Sequence, residues 1–202
     1  MKIIGLVGSP RIEGNTSILV KKALDGAEFE GASVELVQLS ALDFQGCTGC
    51  EGCKNSFRCV IKDDMQKLYD SLEEADGIIL GSPTYFYNIT SITKKFIERL
   101  YCYDTFDALD RSVWINKFEK TGTKYAVTIA VCEQNDIEDM GVTSLVMDKS
   151  LQAVGYRIVK SLKILHVFKK GEIVKQIDSI DEAFEAGKKI AKTIKLNQTV
   201  NC

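Results

Sequence analysis

Ile3-Ile4-Gly5-Leu6-Val7-Gly8-Ser9-Pro10-Arg11-Ile12-Glu13-Gly14-Asn15-Thr16-Ser17 is the stretch whose reading decides the fold. Its first five residues are an unbroken apolar run, the pattern of a strand buried on both faces. Val20, Ala23, Leu24 and Ala27 then recur at helical spacing, so the residues between form a strand-loop-helix crossing. Such a crossing places backbone N–H groups and the positive end of a helix dipole where an anion can sit. No Gly-Lys-Ser/Thr follows, which excludes a nucleoside-triphosphate loop, and Gly5, Gly8 and Gly14 lack the dinucleotide spacing. A terminal monophosphate fits best. The same Ser, Thr and Asn side chains also cap helices that hold no ligand.

Outward from this stretch, strands and helices alternate. Val34–Leu39, Gly77–Ser82, Tyr125–Val131 and Tyr156–Leu165 read as strands. Helical spacing joins Met65, Leu68, Tyr69, Leu72 and Ala75, then Ile92, Phe96, Ile97 and Leu100, then Val142, Leu145, Val146 and Ala153, and a last helix spans Phe184–Ile194. Parallel neighbours need crossover helices, so this alternation predicts a parallel sheet covered on both faces. Ligands of such sheets sit beyond the strands' carboxyl ends, which points to the loops after the first, third and fourth strands. Tyr101–Thr123 is longer than a usual connection and rich in aromatics. It reads as an extension of the preceding helix or, alternatively, as a lid or subunit contact.

With 202 residues, 45% of them hydrophobic, and a formal charge of −2, the chain suits one α/β domain. The absence of a basic stripe argues against a nucleic-acid partner, and the absence of a long apolar run against a membrane, which leads to an expected cytoplasmic location. His166 is the only histidine and has no Ser or Cys pattern tied to it, so it reads as structural and a hydrolase is disfavoured. Cys102, Cys132 and Cys202 are scattered, and Cys102 and Cys132 read as small apolar residues.

Pro83-Thr84-Tyr85-Phe86-Tyr87-Asn88 leaves the third strand on the same edge as the phosphate loop. Three aromatics supply flat walls and Thr84 and Asn88 supply directed hydrogen bonds, which suits a planar heteroaromatic ring. With a monophosphate site one strand away, this points to flavin mononucleotide (FMN). Gly8-Ser9-Pro10-Arg11, Gly14-Asn15-Thr16, Gly81-Ser82-Pro83-Thr84-Tyr85 and Lys95-Phe96-Ile97-Glu98-Arg99 together resemble the NADPH-dependent FMN reductase family of flavodoxin-like proteins. The resemblance implies one domain over residues 1–202, a three-layer sandwich whose five-stranded parallel sheet has the order 2-1-3-4-5. It implies that Ser9, Arg11, Asn15, Thr16 and Ser17 hold the FMN phosphate and that Pro83, Thr84, Tyr85, Phe86 and Asn88 line the ring and ribityl side. It also implies NAD(P)H as co-substrate and a homodimer or homotetramer. Val131-Cys132-Glu133-Gln134-Asn135 departs from the family's glycine-rich turn after the fourth strand.

Cys47, Cys50 and Cys53 stand three residues apart with Gly49 and Gly52 between them, and Cys59 follows, inside a cysteine-rich loop over residues 46–60. Three closely spaced thiolates can wrap one corner of a cubane and a fourth can close it. Zinc, which more often uses two separated pairs, is a weaker alternative, and a loop of redox or structural thiols a stronger one. The run resembles the compact motif of the iron-sulfur flavoproteins, a branch of the same family, in which it holds a [4Fe–4S] cluster. Two functions follow as expectations: a nicotinamide-dependent FMN oxidoreductase, or an electron carrier fed by a ferredoxin-like partner.

Overall fold

The computed structural model describes residues 1–118 and 122–200. Cys202 and the part of Tyr101–Thr123 at residues 119–121 lie outside the described residues. Strands β1 (Lys2–Val7), β2 (Ser33–Gln38), β3 (Gly77–Pro83), β6 (Lys124–Val131) and β7 (Tyr156–Ile164) form one parallel sheet in the order β2-β1-β3-β6-β7. Counting sheet strands alone, this is the expected 2-1-3-4-5. The intervening β4 (Asp104–Phe106) and β5 (Trp114–Asn116) make a separate antiparallel hairpin.

Helices α1 (Asn15–Phe29) and α5 (Ile177–Val200) cover one face of the sheet, and α2 (Met65–Glu74), α3 (Ser91–Arg99) and α4 (Thr143–Ala153) cover the other. Period-two alternation sorts the strands between them: Ile3, Val7, Ile79 and Val127 pack with α1 and α5, while Ile4, Leu6, Ile78 and Ala126 face α2, α3 and α4. Both faces are therefore apolar along the central strands β1, β3 and β6, which is why these read as continuous hydrophobic runs, while the edge strands β2 and β7 are half-exposed and carry charged residues.

Tyr101–Thr123 does not continue α3. After a short 3-10 turn at Leu100–Tyr103 the chain turns into the β4–β5 hairpin. Phe106 and Trp114 are directly opposed across it and meet edge-on at 5.4 Å and 89°, a cross-strand pair that favours strand over helix. Buried Asp104 accepts a hydrogen bond from Asn116 at 2.8 Å, closing the hairpin's base. Cys102 and Cys132 are buried, as their apolar reading expects.

Candidate functional site

The carboxyl ends of β1 and β3 are joined where their loops leave the sheet: Gly8 N–H donates to the Gly81 carbonyl at 2.8 Å. Gly8 is required there, since a Cβ on it would stand 1.9 Å from Thr93 Oγ1. The Gly8 carbonyl accepts from Thr90 Oγ1 at 2.5 Å and Thr93 Oγ1 at 3.2 Å. Thr93 Oγ1 also lies 2.8 Å from Thr90 Oγ1 and 3.2 Å from Ser82 Oγ, and Thr90 N–H donates to Ser82 Oγ. All three hydroxyl residues are essentially inaccessible to solvent. The N-cap of α3 thus holds the two loops together, a buried network in which every hydroxyl has a partner.

Beyond Gly8 the chain forms a cavity whose lining includes Ser9, Arg11, Thr16, Thr84, Glu133 and Lys170. Helix α1 begins there with Gly14 at its N-cap and no side chain capping it, so the first-turn N–H groups of Asn15, Thr16 and Ser17 are left without a cap. The N–H of Ser9 likewise donates to no described group. Thr84 Oγ1 is buried against the same cavity with no partner. Orphaned donors around a hollow that also holds Arg11 and Lys170 fit a bound anion with a polar extension.

The structure divides the predicted phosphate residues by role. Asn15 spends its side chain on the loop after β7: Nδ2 donates to the Lys169 carbonyl at 2.9 Å and Oδ1 accepts from Ile173 N–H at 3.2 Å. Arg11 lies 5.1 Å over the Phe168 ring and donates to the Phe168 carbonyl at 2.9 Å. Ser9 Oγ accepts from Arg11 N–H. Ser17 is buried but does not line the cavity. Val167, Phe168 and Lys170 form its far wall, from a loop that sequence reasoning passed over. Parallel topology puts that loop on the ligand edge, and this was the available signal. Gln38, at the end of β2, is a second omission; its amide donates to the Ser9 carbonyl at 2.5 Å.

A second hollow adjoins the first and is lined by Thr84, Tyr85, Phe86, Tyr87, Glu133 and Asp139, with Gln134. Tyr85 and Asn88 exchange backbone hydrogen bonds at 2.7 and 3.1 Å, which forces Phe86 and Tyr87 into the left-handed region at φ 48° and 62°. Bulky residues there cost on the order of 1 kcal/mol each, and Phe86 is 99% exposed, so no local packing offsets it. The turn is held from outside: Val142 N–H donates to the Tyr87 carbonyl at 2.8 Å, and a Cβ on Gly141 would meet that oxygen at 2.3 Å. Pro83, Thr84 and Tyr85 line the first hollow and Thr84, Tyr85 and Phe86 the second, whereas Asn88 lines neither; its Oδ1 accepts from Ile89 N–H. His166 is exposed at φ 58°, and its N–H donates to the Gln134 carbonyl, a structural place.

The cysteine loop is fastened apart from these hollows. Arg99, fully buried, donates to both carboxylate oxygens of Asp63 at 2.5 and 3.0 Å and to the Gln45 carbonyl at 2.9 Å, so one side chain joins the loop's two ends. Burial works against the Asp63 charge, yet the Arg99 hydrogen bonds and the Gln45 and Met65 N–H groups bring its pKa below the ordinary carboxylate value. At the tip, Lys54 Nζ sits 3.3 Å from the Tyr101 ring centre and 4.3 Å from that of Phe106, and Arg111 pairs with Glu51. Cys47 and Cys50 are exposed, Cys59 is half-buried and Cys53 is buried. Hydrogen bonds from Gly52 N–H and Thr48 lower the Cys50 pKa, whereas burial raises that of Cys53. Four thiols are the right donor set for a [4Fe–4S] cluster. Among the described residues, however, no three Cys, His, Asp or Glu side chains converge as a metal-holding group.

Comparison with known proteins agrees with this architecture. A family model described as NADPH-dependent FMN reductase matches residues 1–131. An iron-sulfur flavoprotein of Methanocaldococcus jannaschii is 43% identical over 99 residues, 49% of this chain and 51% of that protein. An iron-sulfur flavoprotein of Clostridioides difficile is 25% identical over 182 residues, 89% of this chain and 74% of that protein. The chain thus spans about half the length of the archaeal relative. Among solved structures, a flavone reductase superposes with a TM-score of 0.73 at 20% identity, covering 96% of this chain and 63% of that one. An NAD(P)H:quinone oxidoreductase from Methanothermobacter marburgensis gives 0.68 at 14% identity, covering 93% and 98%. At these identities the structural likenesses speak to the flavodoxin-like fold alone. No helix among the described residues is long and apolar enough to cross a membrane.

Proposed function

The chain belongs to the NADPH-dependent FMN reductase family, and from that premise we propose that it is an FMN-bound oxidoreductase that takes a hydride from a reduced nicotinamide and passes the electrons to an acceptor. The observation that carries the proposal is the set of orphaned donors on residues that line the first hollow: the N–H groups of Ser9, Asn15 and Thr16, and Thr84 Oγ1. In this reading the α1 amides, Ser9, Thr16 and Arg11 hold the phosphate, with Lys170 adding charge. Asn15 contributes its N–H, while its side chain keeps the loop after β7 against the cavity. Pro83, Thr84, Tyr85 and Phe86 wall the ring. FMN, when bound, supplies the hydride and single-electron chemistry. No protein acid or base is then required. Glu133 and Asp139 place negative charge beside the ring hollow, which disfavours added negative charge there and so favours a low reduction potential.

The names of the archaeal and clostridial relatives favour a second reading, in which Cys47, Cys50, Cys53 and Cys59 gather around a [4Fe–4S] cluster and a ferredoxin-like partner supplies electrons. Anaerobic purification followed by assays of FMN, iron and acid-labile sulfide on one sample tests both. FMN without iron or sulfide, together with nicotinamide-dependent turnover, supports the first. About four irons and four sulfides per chain, with turnover abolished by Cys53→Ser, supports the second. A chain that binds no FMN refutes both.

A further inference from the structure

We propose that Thr93 is a positioning residue for phosphate recognition, acting through the Gly8 carbonyl to aim the N–H of Ser9 into the anion cavity. The inference rests on the FMN reading above and deepens it with a residue of α3 that lines neither hollow.

A trans peptide is planar, so its C=O and the following N–H point in opposite directions. The Gly8 carbonyl is held on the α3 side by Thr90 Oγ1 at 2.5 Å and Thr93 Oγ1 at 3.2 Å. The Ser9 N–H is therefore turned away from α3, and it is the N–H of that peptide which donates to no described group. Ser9 itself lines the cavity. Thr93 fixes the peptide through its hydroxyl and through its packing. Its hydroxyl, with one proton to share, lies 3.2 Å from the Gly8 carbonyl, 2.8 Å from the Thr90 hydroxyl that itself bonds that carbonyl, and 3.2 Å from Ser82 Oγ. It also packs so closely on Gly8 that no side chain fits between them. Glycine is the residue freest to reorient its peptide. Without the Thr93 hydroxyl the Gly8 carbonyl is left to Thr90 Oγ1, whose own hydroxyl has lost the neighbour that orients it, and the glycine peptide is freer to swing.

A strand-to-helix loop needs no such device merely to fold. Gly8 N–H is already paired with Gly81 O, and Thr90 already caps α3 by accepting from Thr93 N–H. What the Thr93 hydroxyl adds is direction at the cavity wall. The consequence is specific to the phosphate end: a loosened Gly8–Ser9 peptide weakens recognition of the phosphate and leaves ring recognition by Thr84, Tyr85 and Phe86 as it was.

The test compares FMN with riboflavin, which has the ring and ribityl chain but no phosphate. Dissociation constants of both are measured by flavin fluorescence quenching on the flavin-free full chain for wild type, Thr93→Val and Thr93→Ser. Valine keeps the shape and removes the hydroxyl. The expected result is that Thr93→Val weakens FMN about tenfold, the size of one hydrogen bond to a charged group, with riboflavin affinity unchanged and FMN affinity restored by Thr93→Ser. Equal weakening of both flavins, or no change in either, overturns the proposal in favour of a packing role alone. Where Thr93→Val fails to fold, Thr93→Ala takes its place in the same comparison: selective loss of FMN affinity, restored in Thr93→Ser, supports the proposal, and equal or no loss for the two flavins overturns it. If the wild type prefers FMN to riboflavin by nothing at all, the FMN reading itself has failed, which is a distinct outcome.

Discussion

Arg99→Met isolates the buried ion pair that closes the cysteine loop. The substitution keeps the length of the buried stem and removes three hydrogen bonds, two to Asp63 and one to the Gln45 carbonyl. Asp63 then keeps its charge with only 12% of its side chain exposed. Removing one member of a buried pair costs about 3–5 kcal/mol, chiefly because the other is stranded, and the residual exposure of Asp63 argues for the lower end, about 3 kcal/mol. At a urea m-value of about 2 kcal/mol/M, that lowers the unfolding midpoint by about 1.5 M. The control is Lys94→Met, which breaks an exposed i,i+4 pair with Glu98 and is expected to cost about 0.5 kcal/mol at most. A double variant, Arg99→Met with Asp63→Leu, removes the stranded charge and should recover part of the loss. Urea titrations of the four proteins, followed by circular dichroism at one pH, give the comparison. A cost for Arg99→Met no larger than that for Lys94→Met would refute the assignment of Arg99 as the fastening of the loop.

Acid should act at the same pair. The Asp63 pKa is depressed in the folded chain, so its stabilising contribution is present above the unfolded carboxylate value of about 4 and is lost as pH falls through the lower folded value. Urea midpoints of wild type should therefore drop more steeply below pH about 4 than those of Asp63→Asn, and parallel curves would contradict the pairing. Replacing Arg11 and Thr16 together by Ala should weaken FMN by about tenfold or more through lost charge-assisted contacts, read by fluorescence titration; undiminished affinity would remove both from the phosphate site. Timed alkylation with peptide mass mapping under anaerobic conditions should modify Cys50 first and Cys102 last, since Cys50 is exposed with a lowered pKa while burial pushes the Cys102 thiol up to about 12. Early labelling of Cys102 would mean that the loop above it opens freely.

The fold could be read from the chain because the three central strands are buried on both faces and therefore uninterrupted in the sequence, as Ile3–Val7 and Tyr125–Val131 are. The phosphate loop was readable for a related reason: Gly8, Gly14 and the first residues of α1 are local in sequence, and local backbone geometry dictates what they can do. What escaped is non-local. Phe168 and Lys170 approach Arg11 across more than 150 positions, and the hydrogen bond from Arg11 to the Phe168 carbonyl spans 157 of them. No periodicity marks such a contact. The β4–β5 hairpin was missed because its strands are only three residues long, too short to show alternation, and because the aromatic pairing of Phe106 with Trp114 exists only once the turn has formed. The cysteine spacing was the most conspicuous local pattern, yet spacing alone does not say whether thiols converge. Cys53 turns inward while Cys47 and Cys50 face solvent.

Arg99 ties Gln45 to Asp63 and so closes the base of the segment between them, while Arg58, bonded to Gln66, fastens its second half to α2. Loop-closure entropy rises only slowly with length, by about 0.6 kcal/mol for each doubling. Extra residues at the exposed turn around Thr48 and Gly49 therefore cost little, whereas changes at Cys53 or Arg58 disturb contacts with the core and α2. The segment behaves as a half-open clasp, rigid on its α2 side and extensible at its tip.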